Sequence, residues 1–268
     1  MDITVTFVGN ATTLISAGGL TLLTDPDFLH RGQRAYLGHG LVSKRLKEPA
    51  LQLSELPPVD AIVLSHMHGD HWDRVSQKGL DHELPVVTTP HAAKRLHKRG
   101  FVRARGLTTW QQHTITKGST ALTLTSLPGR HAPGWSQRLL PPVMGTMVEV
   151  AADDGSPRRR LYISGDTLLI EELKEIPTRF DPVDVGMLHL GGTRLPAGGR
   201  LPFGLTVTMD GRQGAELVAM LALPKAIPVH FDDYAAFASP LADFTREMQR
   251  RGLGDRIITV NRGASVTV

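Results

Sequence analysis

Residues 65–72 place three histidines and one aspartate within six positions, and this stretch constrains the chain more than any other. Histidine is only 12 of the 268 residues, so four potential metal ligands this close together are not expected from composition alone. The apolar run 59–64 directly before them predicts a buried strand. We therefore expect a metal site at the end of that strand, formed by His66, His68, Asp70 and His71.

The spacing of these ligands predicts two metal ions rather than one. His66 and His68 follow the strand end at the two-residue period that turns alternate side chains to one side, so both can bind one ion. Asp70 and His71 lie where the chain is expected to turn into a helix, and they can face a neighbouring ion. Because the chain has no cysteine, every protein ligand must be nitrogen or oxygen. Imidazole and carboxylate suit zinc, with manganese or iron as alternatives.

The His-x-His-x-Asp-His string resembles the signature of the metallo-β-lactamase superfamily, and four further motifs occupy the places that this family gives them along the chain. Those motifs are Thr24-Asp25-Pro26, Gly129-Arg130-His131, Ser164-Gly165-Asp166-Thr167 and Pro228-Val229-His230-Phe231. The resemblance implies an αββα sandwich, in which two mixed β-sheets lie face to face with helices outside. Alternation of strands and helices by itself predicts only an α/β fold. We expect one domain over residues 1–268.

The resemblance also implies a role for each candidate residue. One metal ion would be bound by His66, His68 and His131, the other by Asp70, His71 and His230, with Asp166 bridging the two. A metal-bridging hydroxide would be the nucleophile, and Asp70 would assist proton transfer. Asp25 would orient a ligand histidine without touching metal.

Three stretches resemble one branch of the superfamily, which holds ascorbate-phosphate lactonases and N-acylphosphatidylethanolamine phospholipase D. They are Phe7-Val8-Gly9-Asn10-Ala11-Thr12, Leu23-Thr24-Asp25-Pro26 and Glu55-Leu56-Pro57-Pro58-Val59-Asp60. The branch usually has histidine where this chain has Asn10. The resemblance implies hydrolysis of a small ester-like substrate. A lactone is slightly preferred over a phosphodiester, because no long amphipathic stretch suited to a membrane surface is evident. A nuclease and a metal-binding module without turnover are less favoured.

Six further residues near the motifs are candidates for the substrate pocket: Trp72, Trp135, His189, Arg194, Asp233 and Tyr234. For the tryptophans, packing in the core is an equal alternative. His189 follows an apolar run and could instead bond a backbone carbonyl, and Arg194 could hold a phosphate or lie on the surface. Residues 26–50 show no clear period, so we predict a long loop there, a candidate substrate flap.

Charge and hydropathy narrow the class of partner. The net charge is +4, and basic residues concentrate at 94–105 and 158–160. We favour solvated surfaces over polyanion binding for both clusters and expect no nucleic-acid partner, because no aromatic platform accompanies them. No apolar run reaches about 18 residues and the N-terminus has no leader pattern, so we expect no membrane span and a cytoplasmic protein. A homo-oligomer stays open.

Periodicity and turn residues predict the other elements. Strands are expected at 3–8, 12–16, 20–24, 84–88, 108–112, 121–127, 144–151, 160–164, 183–188, 226–229 and 256–260. Helices are expected at 90–99, at 210–223 behind a capping box of Asp210 and Gln213, and at 239–252. The candidate ligands outside the helix turn all follow predicted strands, so we expect their side chains to meet at one edge of the sheets.

Overall fold

The computed structural model describes residues 2–152, 158–195 and 204–268. The strands are β1 (Thr4–Gly9), β2 (Thr12–Ala17), β3 (Leu20–Thr24), β4 (Arg34–Gly38), β5 (Leu41–Lys44), β6 (Ala61–Val63), β7 (Val86–Thr88), β8 (Ala104–Gly106), β9 (Gln112–Lys117), β10 (Thr120–Leu127), β11 (Gly145–Ala152), β12 (Arg159–Ile163), β13 (Val185–His189), β14 (Arg194–Leu195), β15 (Leu205–Thr206), β16 (Ala226–Val229) and β17 (Ser265–Thr267). The helices are α1 (Arg74–Gly79), α2 (Pro90–His97), α3 (Glu175–Arg179), α4 (Gly211–Met220) and α5 (Leu241–Arg250).

Two large mixed sheets dominate the structure. The first has the order β17-β1-β2-β3-β6-β7-β8 and the second β16-β13-β12-β11-β10-β9. Strands β3, β6 and β7 run parallel, and so do β12, β13 and β16. The carboxyl ends of parallel strands lie at the same edge of a sheet, so the segments that follow these strands are brought close together.

Three apolar layers hold the sheets and helices together. Phe7 of the first sheet and Leu124 of the second belong to one buried cluster between the sheets. Leu96 of α2 packs with the other face of the first sheet. Leu217 of α4 and Phe244 of α5 pack with the other face of the second sheet. The layers therefore run helix, sheet, sheet, helix, and the predicted αββα sandwich is confirmed.

Side-chain caps set the starts of two helices. The carboxylate of Asp210 accepts a 2.8 Å hydrogen bond from the N–H of Gln213, so α4 begins where predicted. Asp73 accepts a 2.6 Å hydrogen bond from the N–H of Ser76 and starts α1 just after the histidine-rich turn. Among the helices that the structure describes, none combines the length and the apolar character needed to cross a membrane.

Three predicted elements are wrong. The region 26–50 is not a structureless loop, because it contains the hairpin β4–β5. Its alternation of buried Ala35 and Leu37 with exposed neighbours is too short to stand out in the sequence. The predicted strand at 108–112 is misplaced, because β8 ends at Gly106 and β9 begins only at Gln112. The predicted strand at 256–260 is reduced to one bridge, in which Ile257 pairs with Ala226 of β16, and the last strand, β17, begins only at Ser265.

Candidate metal centre

The candidate ligands meet where strands of both sheets end. Asp25 follows β3, His66 and His68 follow β6, and His230 follows β16. His131 and Asp166 lie four and three residues beyond the ends of β10 and β12, respectively. All of these side chains are buried, so strand ends distant in sequence converge on one site as expected.

Three histidine rings converge on one point. The Nδ1 of His68 lies 3.0 Å from the Nε2 of His66 and 3.0 Å from the Nε2 of His131. In the rings of His66 and His131, the other nitrogen, Nδ1, faces a hydrogen-bond acceptor. The Nδ1 of His131 lies 2.6 Å from the carbonyl of Val207, and the Nδ1 of His66 lies 3.0 Å from the hydroxyl oxygen of Ser65. The Nε2 atoms of His66 and His131 therefore carry lone pairs toward His68.

This arrangement of lone pairs fits a cation. The Nδ1 of His68 carries at most one hydrogen, which can point to only one of the two facing nitrogens. A metal ion would satisfy all three nitrogens at once. Burial and the nearby rings hold the pKa of His66 well below its usual value and lower the pKa of His68 to about 3. Burial also lowers the pKa of His131. The three rings are therefore neutral at pH 7, as metal binding requires.

A second group of donors adjoins the first. The Oδ2 of Asp70 lies 3.4 Å from the Nε2 of His230 and 3.8 Å from the Nε2 of His71. Asp166 lies between the groups: its Oδ2 is 3.3 Å from the Nε2 of His71, and donor atoms of Asp166, His71 and His66 all lie within 4.8 Å of one another. A carboxylate at this place can contact ions in both groups.

Several buried donor atoms of this centre have no hydrogen-bond partner among the residues that the structure describes. They are Oδ1 of Asp70, Nε2 of His71, Oδ1 of Asp166 and Nδ1 of His230; the Nε2 of His71 lies 3.3 Å from the Oδ2 of Asp166, and the Nδ1 of His230 lies 3.4 Å from its Oδ1. Burying polar atoms without partners costs free energy, which a bound cation would recover. The residues present therefore fit divalent metal ions.

Carboxylates control the charge of His71. Burial favours its neutral form, but Asp166, Asp70 and Asp25 outweigh burial and raise the pKa of His71 well above its usual value. The protonated ring thus offsets part of the negative charge in the metal-free protein. Metal binding through the Nε2 of His71 would release this proton.

Asp25 contacts one of the candidate ligands, His71, on the Nδ1 side of its ring. Its Oδ1 accepts a 2.7 Å hydrogen bond from the N–H of Ser65, and its Oδ2 lies 3.0 Å from the Nδ1 of His71. Despite burial, His71 and His189 lower the pKa of Asp25 to about 2, so it is ionised. An ionised carboxylate on the Nδ1 side directs the Nε2 of His71 toward Asp166.

The sequence analysis did not identify two polar residues that donate hydrogen bonds to Asp25 and Asp166. The hydroxyl of Ser65 donates to Asp25 at 2.8 Å, and the hydroxyl of Thr208 donates to the Oδ2 of Asp166 at 2.9 Å. Ser65 is detectable only as the neighbour of His66. Thr208 comes from a segment without any motif, so no sequence signal could have found it.

The candidate pocket residues are not brought together in one place. Trp72 lines the cleft described below, and its buried ring packs edge-to-face on Phe101. Trp135 is 62% exposed, on the 3₁₀ turn Gly134–Leu139. Arg194 is exposed on β14 beside a separate, smaller cavity. His189 is buried behind the centre, with its Nε2 3.5 Å from Asp25.

Asp233 and Tyr234 belong to a buried network rather than to the cleft wall. Asp233 accepts a 3.0 Å hydrogen bond from Arg262 and lies 3.5 Å from the guanidinium of Arg45. The hydroxyl of Tyr234 donates to Asp27 at 2.8 Å. These contacts join the segment after His230 to residues of the 26–50 region.

A cleft of about 1040 Å³ leads to the centre and reaches the ring of His68. The hairpin β4–β5 forms part of its wall, which agrees with the predicted position of a substrate flap. The hairpin is fixed beside the ligands because the N–H of Gly69 donates to the carbonyl of Tyr36 at 2.9 Å. A Cβ atom at Gly69 would lie 2.6 Å from the backbone nitrogen of Tyr36, so only glycine allows this approach.

Arginines dominate the charged residues of this cleft. Within the described residues they are Arg34, Arg74, Arg95, Arg99, Arg130 and Arg138. The acidic residue in the wall is Asp73, which is buried and caps α1. The sequence analysis interpreted 94–105 as a solvated surface. That interpretation is incomplete, because Arg95 and Arg99 line the cleft. The cleft is suited to an anionic substrate.

Comparison with known proteins identifies the family. The model of the family described as "Beta-lactamase superfamily domain" matches residues 21–231. The chain belongs to the β-lactamase superfamily. The strand-end histidines and aspartates described above all lie within the matched residues.

Relatives of known sequence agree with this assignment. The N-acyl-phosphatidylethanolamine-hydrolyzing phospholipase D 1 of Caenorhabditis elegans is 29% identical over 196 residues, which are 69% of this chain and 53% of that protein. The match thus spans about half the length of that relative. A UPF0173 metal-dependent hydrolase of Deinococcus radiodurans is 26% identical over 200 residues, 74% of this chain and 76% of that protein.

Solved structures share the fold. A possible metal-dependent hydrolase from Veillonella parvula superposes with a TM-score of 0.80 at 22% identity, and the match covers 100% of both chains. The predicted class, a metal-dependent hydrolase of the metallo-β-lactamase superfamily, is confirmed by the family match and the named relatives.

Proposed function

We propose that the protein hydrolyses phosphodiesters at a dinuclear metal centre. The observation that carries the proposal is the meeting of two buried donor groups at Asp166, beside an arginine-lined cleft that reaches His68. Neither half of this observation is sufficient alone. The donor groups would hold the metal ions, and the positive charge of the cleft favours an anionic substrate.

The donor groups suggest how two ions would be held. One group is His66, His68 and His131, and the other is Asp70, His71 and His230, with Asp166 between them. Their nitrogen and oxygen donors suit zinc, with manganese or iron as alternatives. Two bound divalent ions would polarise the phosphoryl oxygen and lower the pKa of water.

Asp70 is the residue that we assign to proton transfer. Its Oδ1 lacks a hydrogen-bond partner among the described residues. Although burial opposes ionisation, His71 and His230 lower the pKa of Asp70, so its carboxylate is ionised. Asp70 would take a proton from the nucleophile and deliver it to the leaving oxygen.

The charge of the cleft favours a phosphodiester over a lactone. The sequence alone slightly favours the lactone, because it contains no long amphipathic stretch. The ring ester of a lactone is neutral, however, whereas a phosphodiester carries a negative charge at the reacting group itself, which suits a cleft lined by six arginines. The similarity to a phospholipase D of Caenorhabditis elegans supports the same order.

Initial rates on two substrate classes test the proposal. Zinc-loaded protein is assayed on bis(p-nitrophenyl) phosphate and on a panel of neutral lactones, with metal content measured on the same preparation. We expect two equivalents of zinc and faster cleavage of the diester. Lactone opening that exceeds diester cleavage would contradict the phosphodiester assignment. One equivalent of bound metal would contradict the dinuclear centre, and less than one equivalent would contradict any metal centre.

Two histidine variants separate the site from contaminants. His68→Ala removes a central nitrogen donor and should abolish cleavage. His113→Ala changes a partly exposed histidine on the edge strand β9 and should leave the rate unchanged. Equal rates for these two variants would show that the activity does not arise at this centre.

A further inference from the structure

One wall of the cleft gathers arginines from three separate elements. Arg34 lies on β4, Arg74 begins α1, and Arg95 and Arg99 come from α2 and the turn after it. They form a continuous surface: Arg74 donates to the carbonyl of Arg34 at 3.3 Å, and Arg99 donates to Gln77, which also lines the cleft. We call these four arginines the outer wall.

Within the described residues, no acidic side chain pairs with the positive charges of the outer wall. In the part of the chain that the structure describes, none of its four arginines pairs with a carboxylate. The other basic cluster differs, because Arg158 and Arg160 pair with Glu149 and Arg159 pairs with Asp184. The structure thus neutralises one arginine cluster and leaves the cleft cluster cationic.

The like charges of the outer wall lie close enough to interact. Burial and the neighbouring Arg95 lower the pKa of Arg99, and the same two causes lower the pKa of His91, another cleft residue. Cations that repel one another in the free protein are stabilised when an anion binds between them.

The number of cations exceeds the need of the reacting group. A phosphodiester carries one negative charge, and the metal centre itself attracts that charge. We propose that the outer wall binds a second anionic group of the substrate, a phosphate or a carboxylate that is not cleaved. The inference rests on the proposed function only for the position of the first group, at the centre.

Direct binding tests the second contact without requiring turnover. Zinc-loaded protein is titrated calorimetrically with alkanediol bisphosphates, from propanediol to octanediol, and with the matching monophosphates. Each pair differs only in the second phosphate, and the series covers a range of spans. We expect at least one bisphosphate to bind about tenfold more tightly than its monophosphate, because guanidinium–phosphate contacts are charge-assisted. The advantage should shrink as salt is added.

Matched variants locate the contact. The double variant Arg95→Ala/Arg99→Ala should bind the bisphosphate and its monophosphate about equally tightly. Lys94→Ala with Lys98→Ala removes the same charge from exposed positions at the same helix that do not line the cleft, and it should leave the advantage intact. Arg34→Ala with Arg74→Ala gives a second, independent pair on other elements and should also weaken the bisphosphate selectively.

Each result decides the inference. No advantage at any chain length, or an advantage that survives both arginine pairs, would overturn it. So would an equal loss in the lysine pair, because that loss would reflect general charge. A parallel series of ω-carboxyalkyl phosphates shows which anion is preferred: either anion gaining affinity through the arginines supports the site. If diesters are not hydrolysed but the bisphosphate advantage depends on the arginines, the proposed function fails and this inference stands.

Discussion

The side-chain amide of Asn10 donates a 2.6 Å hydrogen bond to the backbone carbonyl of Asp70. The backbone carbonyl of Asn10 accepts a 3.0 Å hydrogen bond from the N–H of His230, and the backbone N–H of Asn10 donates to Asp233 at 2.8 Å. One residue thus links the turn that carries Asp70 to the segment that carries His230. Asn10 is therefore a positioning residue for both segments. It stands where the branch that this chain resembles usually has histidine.

Replacing Asn10 should destabilise the folded protein. Asn10→Gly removes the amide but tolerates the left-handed backbone, whose φ is 54°. We expect a loss of about 1–2 kcal/mol in the free energy of unfolding, because the buried carbonyl of Asp70 loses its donor. Asn10→Ala should cost about 1 kcal/mol more, since a Cβ is strained at this φ. Urea unfolding of the metal-free proteins measures both, and equal stability of Asn10→Gly and wild type would refute the positioning role.

Asp25→Asn should weaken metal binding without removing a ligand. The substitution keeps the shape of the side chain but removes the charge that holds His71 and two groups of Ser65. Loss of such a supporting carboxylate typically weakens metal affinity about 10–100-fold. Competition with a chromogenic chelator measures the affinity. A variant that binds one equivalent less than wild type would instead make Asp25 a ligand.

The candidate metal-binding motifs stand out in the sequence because each is local. His66, His68, Asp70 and His71 lie within six positions, and apolar runs before them predict the strand that presents them. Asp166 and His230 follow β12 and β16, which run in the same direction on either side of β13. His131 follows β10, which shares that direction because β10 and β12 both pair antiparallel with β11. The layers of the sandwich came from the family resemblance, since alternation alone gives only α/β.

The cleft was not predictable, because its wall is assembled by tertiary packing. Arg34, Arg74, Arg95 and Arg99 span 66 positions and share no motif. They meet only because the hairpin β4–β5 docks its backbone on Gly69 beside α1 and α2. Sequence periodicity reports which face of an element is buried but not which exposed faces line one cavity.

Arg45 should be required for stability of the 26–50 region. Its side chain is fully buried, with Nη1 2.7 Å from Asp27 and Nη2 3.5 Å from Asp233. Arg45→Met leaves two buried carboxylates without this cation, and breaking a buried pair in this way costs about 3–5 kcal/mol. Urea unfolding measures the loss. Arg31→Met, at an exposed position of the same region, should change stability by less than about 0.5 kcal/mol.

A double variant separates charge from packing at this position. Arg45→Met combined with Asp27→Asn removes both charges of the closest pair. We expect it to be more stable than Arg45→Met alone. A double variant that is less stable would show that the methionine packs poorly and that unpaired charge is not the main cost.

Acid should destabilise the metal-free protein through His68. Burial and His131 lower the pKa of this ring from 6.5 to about 3, so between these values the unfolded chain binds a proton that the folded chain does not. The stabilising contribution is present above pH 6.5 and is lost as the pH falls toward 3, by about 1.4 kcal/mol per pH unit for one proton. His71 does not change this slope, because its raised pKa keeps it protonated in both states below pH 6.5. Urea unfolding of wild type and His68→Gln with chelator, at several pH values between 4 and 7, isolates the single group. The wild-type stability should fall more steeply with acid, and parallel curves would show that His68 is not held neutral by the fold.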